Sequence, residues 1–334
     1  MKTLILNQKE IAELLTMEEC MMAMDRAFLA LASGEVVLPL RQVVWLPGNE
    51  SALACMPAVS NDSKSMAVKV ISVFPRNRDT EYDAHQGAIL LFEIENGRLL
   101  AILDATEITA IRTAAVSGIA TRTLARPDAS ELTIVGSGVQ AQKHLQSMMV
   151  ARKLSRVRVW SRTHANAQRF CEREQTNYGI PIEPILHPVD AVTGAEIICT
   201  VTSSRTPVLM GEWIQPGAHI NAVGTYGPGA RELDSAAVLR SRMYVDRIES
   251  AMNEAGDFVI PRNEGAITDR HIRGELGDLL SGKIPGRSSF DEITLFKSLG
   301  LAMEDLAAAQ YVYEKARLKG IGTAVELGGS RHGA

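Results

Sequence analysis

The sequence lacks several features that would assign it to a special class. No apolar run approaches the roughly 20 residues that a bilayer-spanning helix needs. The apolar stretch before Asn7 and Gln8 is too short to read as a secretory signal. Neither sign of charge prevails: the formal net charge is −4, which gives no electrostatic ground for expecting nucleic acid or an anionic membrane as partner. The four cysteines, Cys20, Cys55, Cys171 and Cys199, lie far apart without metal-type spacing. No metal site is expected, and reduced, mostly buried thiols in a cytoplasmic protein are the better reading. Nothing repeats, and no segment is of low complexity. What is present, 46% hydrophobic and 22% charged residues over 334 positions, describes an ordinary globular chain long enough for two domains.

The most informative stretch is Glu131–Gln142, ELTIVGSGVQAQ. Leu132, Ile134 and Val135 form a short strand-like run that breaks at Gly136-Ser137-Gly138, and Val139–Ala151 reads as a helix. A strand entering a glycine turn and then a helix gathers open backbone N–H groups and a positive dipole end at one point, where a pyrophosphate fits. The spacing Gly136-x-Gly138-x-x-Ala141 is the dinucleotide fingerprint with alanine in third place. Gly136, Ser137, Gly138, Val139 and Gln140 are therefore candidate cofactor contacts. Further strands at 157–160, 196–202, 218–224 and 242–246, separated by helices or turns, give the doubly wound rhythm of a Rossmann domain from about Pro127 to Gly300. At the end of its second strand, where NAD-preferring sites carry an acid, stand Ser161, Arg162 and Thr163. A guanidinium and two hydroxyls suit a 2′-phosphate, so NADP(H) is expected over NAD(H), with NAD(H) possible.

The first third differs. Asn7 and Thr16 cap two helices, the second with Glu19 in a capping box, and Gly34 ends it. Strand-like runs follow at 36–45, 51–57, 65–72, 88–93 and 98–103, with an Asn96-Gly97 hairpin turn, giving an antiparallel or mixed sheet. Two charges sit inside these apolar runs, Arg41 in LPLRQVVW and Lys69 in MAVKVISVF. Alternation puts Ala67, Lys69 and Ile71 on one face, so Lys69 either meets solvent or faces a site. A third, Arg112, lies among Thr113, Ala114, Ala115 and Ser117 in a long helix over 104–126. It either approaches an anion or pairs with a carboxylate such as Glu107 or Asp104. His85, in DAHQG, reads as a structural histidine, with an acid role as the alternative. Residues 294–303 bring Ser298 and Gly300 into a loop before a last helix, and the Gly-rich end is expected to be poorly ordered.

Together DATEITAIRTAAVSGIAT, IVGSGVQAQKH, INAVGTYGPGARELD and TLFKSLGLAMED, with Arg41 and Lys69 upstream, resemble the ornithine cyclodeaminase/μ-crystallin family over essentially the whole chain. The resemblance implies an α/β fold: a Rossmann domain (127–303) plus a discontinuous α+β substrate-binding and dimerisation domain (1–126 with 304–330), in a homodimer. It implies that Arg41, Lys69 and Arg112 gather around a substrate carboxylate facing the nicotinamide. It also implies that Arg112, Thr113, Thr202, Val223, Gly224 and Ser298 line the cofactor.

Membership alone leaves the reaction open among ornithine cyclodeaminases, alanine dehydrogenases, reductases of cyclic ketimine acids, and an NADPH- and hormone-binding protein. Cyclodeaminases of the family carry an Asp two residues after Asn-Ala-Val-Gly and a Glu three residues before the Met-Pro proline. Here those positions hold Tyr226 and Ala54. The expected function is NAD(P)H-dependent reduction of a small cyclic 2-imino acid, of the Δ1-pyrroline- or Δ1-piperideine-2-carboxylate type, with Lys69 as the catalytic residue. Ornithine cyclisation, alanine dehydrogenation and a crystallin-like ligand-binding role are the alternatives.

Overall fold

The structure, a computed structural model, describes residues 2–48 and 50–327, without the side chains of residues 78 and 79. The Gly-rich end, whose order the sequence put in question, lies outside the described residues. The chain divides into two compact units: residues up to Arg112 together with those from Leu301 onward, and Thr113–Gly300.

In chain order the first unit begins with β1 (Lys2–Leu6), α1 (Gln8–Leu14), α2 (Met17–Ala32), β2 (Val36–Val37), β3 (Gln42–Trp45), β4 (Ala52–Ser60), β5 (Ser65–Val73), β6 (His85–Glu93) and β7 (Leu99–Asp104). Helix α3 (Ala105–Leu124) follows, and the division at Arg112 falls inside it. The second unit contains β8 (Glu131–Val135), α4 (Val139–Ala151), β9 (Arg156–Trp160), α5 (His164–Gln175), β10 (Ile182–Pro184), α6 (Pro188–Val192), β11 (Ile197–Thr200), β12 (His219–Ala222), α7 (Ser235–Leu239), β13 (Ser241–Val245), α8 (Ile248–Glu254), α9 (Gly256–Asn263), β14 (Ile272–Glu275), α10 (Leu276–Leu280) and β15 (Ile293–Lys297). The chain then returns to the first unit with α11 (Ala302–Lys319) and β16 (Thr323–Glu326).

The first unit holds a mixed sheet in the order β16-β1-β7-β6-β5-β4-β2, with β3 also on β4; its only parallel pair among the described residues is β1 with β7. Local chemistry sets the ends of its helices. The Asn7 side chain accepts from the Glu10 N–H and that of Thr16 from the Glu19 N–H, while each glutamate reaches back to the cap's own N–H. Strands β4 and β5 alternate throughout: Ala52, Ala54, Met56, Ala58 and Ala67, Lys69, Ile71 are buried, while Cys55, Pro57, Val59, Met66, Val68 and Val70 are half-buried. Helix α11 lies across β4, β5 and β6 and against α2, so it covers the buried face. The run expected as one strand over 36–45 is broken into β2 and β3 by Leu38–Arg41, where Pro39 cannot donate to a ladder. Arg41 therefore sits just ahead of β3 and is half-buried.

The second unit is an all-parallel sheet in the order β10-β9-β8-β11-β12-β15-β13-β14. Its inner strands β11, β12 and β15 are buried along their whole length, as expected where helices cover both faces; Ile197, Ile198, Cys199 and Ile220 are fully buried. The chain leaves β8 toward β9 on one side and returns to β11 on the other. That reversal opens a crevice at the carboxyl ends of β8 and β11, the position at which open α/β sheets take ligands. Ser298 and Gly300 stand in a loop, as expected, and the stretch before them is the inner strand β15, paired with β12 and β13.

Candidate functional site

At the β8–α4 turn Gly136 has φ +128°, and a Cβ there would meet the Val201 carbonyl oxygen at 2.9 Å, so only glycine fits. Gly138 caps α4 without any side-chain hydrogen bond, and a Cβ on it would meet open space. The first turn of α4 is thus left open to a ligand, the arrangement that binds phosphate. Ser161, Arg162 and Thr163 lie just past β9, with Arg162 and Thr163 exposed and the Ser161 hydroxyl 2.9 Å from that of Ser137. No carboxylate occupies the end of β9. Gln140 Oε1 and Ser298 Oγ are among the shielded polar atoms of this unit that have no hydrogen-bond partner among the described residues. Such atoms are costly unless something pairs them. A glycine cradle, an uncapped helix start and unpaired buried polar atoms fit a dinucleotide.

The neighbouring strand ends are tied by a charged network that the sequence did not announce. Glu232 accepts from Thr200 Oγ1 (2.9 Å) and Gly224 N (2.7 Å) on one oxygen, and from Thr202 N (2.6 Å) and Thr202 Oγ1 (2.7 Å) on the other. It therefore staples the ends of β11 and β12 where Thr202, Val223 and Gly224 stand. Gly224 is so enclosed that a Cβ would collide with the Thr202 backbone. Beneath it Asp257 accepts from the N–H groups of Glu232 (2.8 Å) and Leu233 (3.0 Å) and pairs with Lys297 Nζ at 3.0 Å, with both side chains fully buried. Burial and the nearby Asp257 raise the pKa of Glu232, against Lys297 and the Thr202 donors. Loop residues 298–300 are held by Asp246, which accepts from the N–H groups of Leu299 (2.5 Å) and Gly300 (2.8 Å). Thr113 is buried near the start of this unit.

The cations of the first unit come together. Lys69 is 2% exposed and lies on the α11 face, so the solvent-facing reading fails. Its Nζ is 2.8 Å from Asp305 Oδ2 and donates to Thr109 Oγ1 at 3.3 Å. Thr109 and Arg112 are three residues apart on α3 and so share a face. Arg112 is paired, but not with Glu107 or Asp104: Nε donates to Asp305 Oδ1 (3.1 Å) and Nη1 to Glu304 Oε2 (2.6 Å). Both carboxylates belong to the first turn of α11, where negative charge is favoured, and Glu304 also accepts from the Leu301 N–H at 3.0 Å. Burial lowers the pKa of Lys69 to about 8; Asp305 opposes this, while Arg112 and Arg41 add to it, which brings Arg41 within electrostatic reach. For Asp305 burial acts upward, but Arg112 and Lys69 outweigh it and hold the carboxyl below its ordinary range. His85 is exposed at the start of β6.

An open cavity of about 660 Å³ lined by Arg240, Arg242, His271, Arg273 and Glu292 lies at the amino ends of β13 and β15. That is the sheet edge opposite the glycine turn, and it adds nothing to this site. Among the described residues no group of three or more His, Cys, Asp or Glu could hold a metal, and no helix is long and apolar enough to cross a membrane.

The profile of the ornithine cyclodeaminase/mu-crystallin family matches residues 1–320. The chain belongs to that family. It is 41% identical to mouse ketimine reductase mu-crystallin over 281 residues, 84% of this chain and 86% of that one. It is also similar to Thermococcus litoralis Δ1-pyrroline-2-carboxylate reductase in complex with NADH and L-proline: TM-score 0.95, 39% identity, 97% of this chain and 100% of that one. An archaeal alanine dehydrogenase dimer with bound NAD superposes with TM-score 0.93 at 31% identity, covering 98% and 100%.

Glu232, Asp257, Lys297, Glu304 and Asp305 form the buried charged networks that the sequence did not reveal. Lys297 carried the same signal as Lys69, a lysine ending the apolar run Ile293–Phe296, and Glu304-Asp305 opened the final helix. Removing Asp257 strands a buried ammonium, so Asp257→Ala is expected to cost about 3–5 kcal/mol in equilibrium urea unfolding. The double variant Asp257→Ala/Lys297→Met should recover part of that loss.

Proposed function

We propose that the protein is an NAD(P)H-dependent reductase of a small cyclic 2-imino acid, producing the amino acid. The observation that carries this reading is the buried cation set of Lys69 and Arg112, with Arg41 within electrostatic reach, in a chain that also contains a dinucleotide cradle. The relatives named ketimine reductase and pyrroline-2-carboxylate reductase support the substrate class.

The substrate carboxylate is held by Arg41, Lys69 and Arg112. Of the three Lys69 protons, two are directed to Asp305 and Thr109, and one remains for a ligand. Arg112 has Nη2 left after its bonds to Asp305 and Glu304. Burial excludes water from these donors, which strengthens each contact with an anion. When bound, the dinucleotide supplies the hydride that C2 of the imine receives. Lys69 polarises the imine or passes a proton to its nitrogen, a role suited to an amine whose pKa has fallen to about 8. Cyclisation of ornithine is disfavoured. Ala54, on the Lys69 face of β4, offers no carboxylate to a second amine, and neither does exposed Tyr226. For the cofactor, the absence of an acid after β9 and the presence of Arg162 favour NADP(H). The four free cysteines suit a reducing cytoplasm.

We further propose a homodimer formed through the other face of the first unit's sheet. Rows Val59-Met66-Phe92 and Pro57-Val68-Leu90-Ile102 cross that face, apolar and only half-covered. A second copy of the same sheet would cover them.

Absorbance at 340 nm with NADPH should fall with pyrroline- or piperideine-2-carboxylate. Lys69→Ala should lose most of kcat/KM while NADPH binding survives; near-full activity in that variant refutes the role of Lys69. Tight NADPH binding without turnover of these imines, of pyruvate plus ammonia, or of ornithine would favour the crystallin-like binder. The cofactor reading expects higher kcat/KM with NADPH than with NADH, and Arg162→Ala should lose most of that preference, about 1.5–3 kcal/mol for one charge-assisted contact. Equal rates with both cofactors in the parent protein would sink it. Val68→Asp should convert the dimer to a monomer in light scattering after size exclusion; an unchanged mass rejects this face.

A further inference from the structure

Glu304 and Asp305 are adjacent, yet their carboxylates do different things. Glu304 serves Arg112 and the N–H of Leu301 at the start of its own helix. Asp305 divides its two oxygens between two cations on two other elements, Oδ2 toward Lys69 of β5 and Oδ1 toward Arg112 of α3. The other groups near Lys69 come from every element packed around it. From α3 they are Thr109, an uncharged hydroxyl, and Arg112, a cation. Ahead of β3 there is Arg41, another cation. The strand partners, Met56 on β4 and Ile89 on β6, are apolar. On α2 Cys20 feels Arg112 and Glu304, and burial keeps its thiol neutral. Among the described residues Asp305 is thus the one carboxylate within an ion-pair distance of Nζ. Burial, Arg112 and Arg41 all act to strip the proton from Lys69, and Asp305 stands against all three.

We infer that Asp305 is the positioning residue for Lys69: it aims the ammonium and keeps its proton in place, so helix α11 sets the upper pH at which the site works. This rests on the reading of Lys69 as the group that acts on the substrate. A purely structural Asp305 would tie α11 to the sheet and leave the basic limb of kcat/KM where it is.

The test uses the full-length enzyme with NADPH and Δ1-pyrroline-2-carboxylate. The pH dependence of kcat/KM is compared with an NMR titration of the lysine side chains in 13C-lysine-labelled protein. The parent should show a basic limb near pH 8. Asp305→Asn should move that limb, and the NMR titration of Lys69, down by about 1–3 pH units, and Glu304→Gln should move them less. If the parent has no such limb, the catalytic reading of Lys69 fails, and the NMR shift alone still decides the role of Asp305. A Lys69 titration unmoved by Asp305→Asn overturns the inference. Should that variant not fold, Asp305→Glu retains the charge and should hold the limb near the parent's pH while kcat falls; a limb displaced downward with the charge retained overturns it as well.

Discussion

A cation removed from water has to be neutralised where it is buried, and that requirement organises the first unit. Lys69 sits midway along a strand whose buried neighbours are alanine and isoleucine, and no carboxylate in its own sheet answers it. The answer comes from Asp305, which also binds Arg112 from 193 positions away in sequence. Helix α11 must therefore return to the sheet it covers, and the first unit cannot be a continuous stretch of chain. The same carboxylate that makes the unit discontinuous brings Lys69 and Arg112 to one place.

The second unit obeys the same rule with different groups. Lys297 and Asp257 are both without solvent contact, and Asp257 passes its hold on to the backbone of Glu232. Glu232 in turn closes the ends of two parallel strands. Replacing such a network with apolar side chains is often tolerated for stability, so its effect here is on shape more than on strength. What it shapes is the strand edge at which dinucleotides bind in folds of this kind.

Much of the fold was legible in the sequence, because its signals are local. The Asn7 and Thr16 caps, the Asn96-Gly97 turn and the glycine turn after β8 each depend on a few adjacent residues. Alternation also put Lys69 on the face of Ala67 and Ile71, though not which face was covered. What escaped was non-local or short. β10, β14 and β16 have three or four residues each, too few for a period to show, and β15 is an apolar run that merges with the loop after it. Arg112 was matched to carboxylates on its own helix, since sequence distance was the only distance available, and its partners proved to be on α11. Asp305 carried no mark of its own beyond standing in the first turn of a helix.

The discontinuity has a consequence for how the protein is made. As the chain is synthesised, β5 and α3 emerge long before α11, and during that interval Lys69 and Arg112 have no carboxylate to meet. Thr113–Gly300 is a complete parallel sheet with its own core and can close while the first unit waits. The first sheet is complete only when α11 brings its two acids and β16 pairs with β1. The buried ion pairs of the first unit therefore cannot form until α11 has been made.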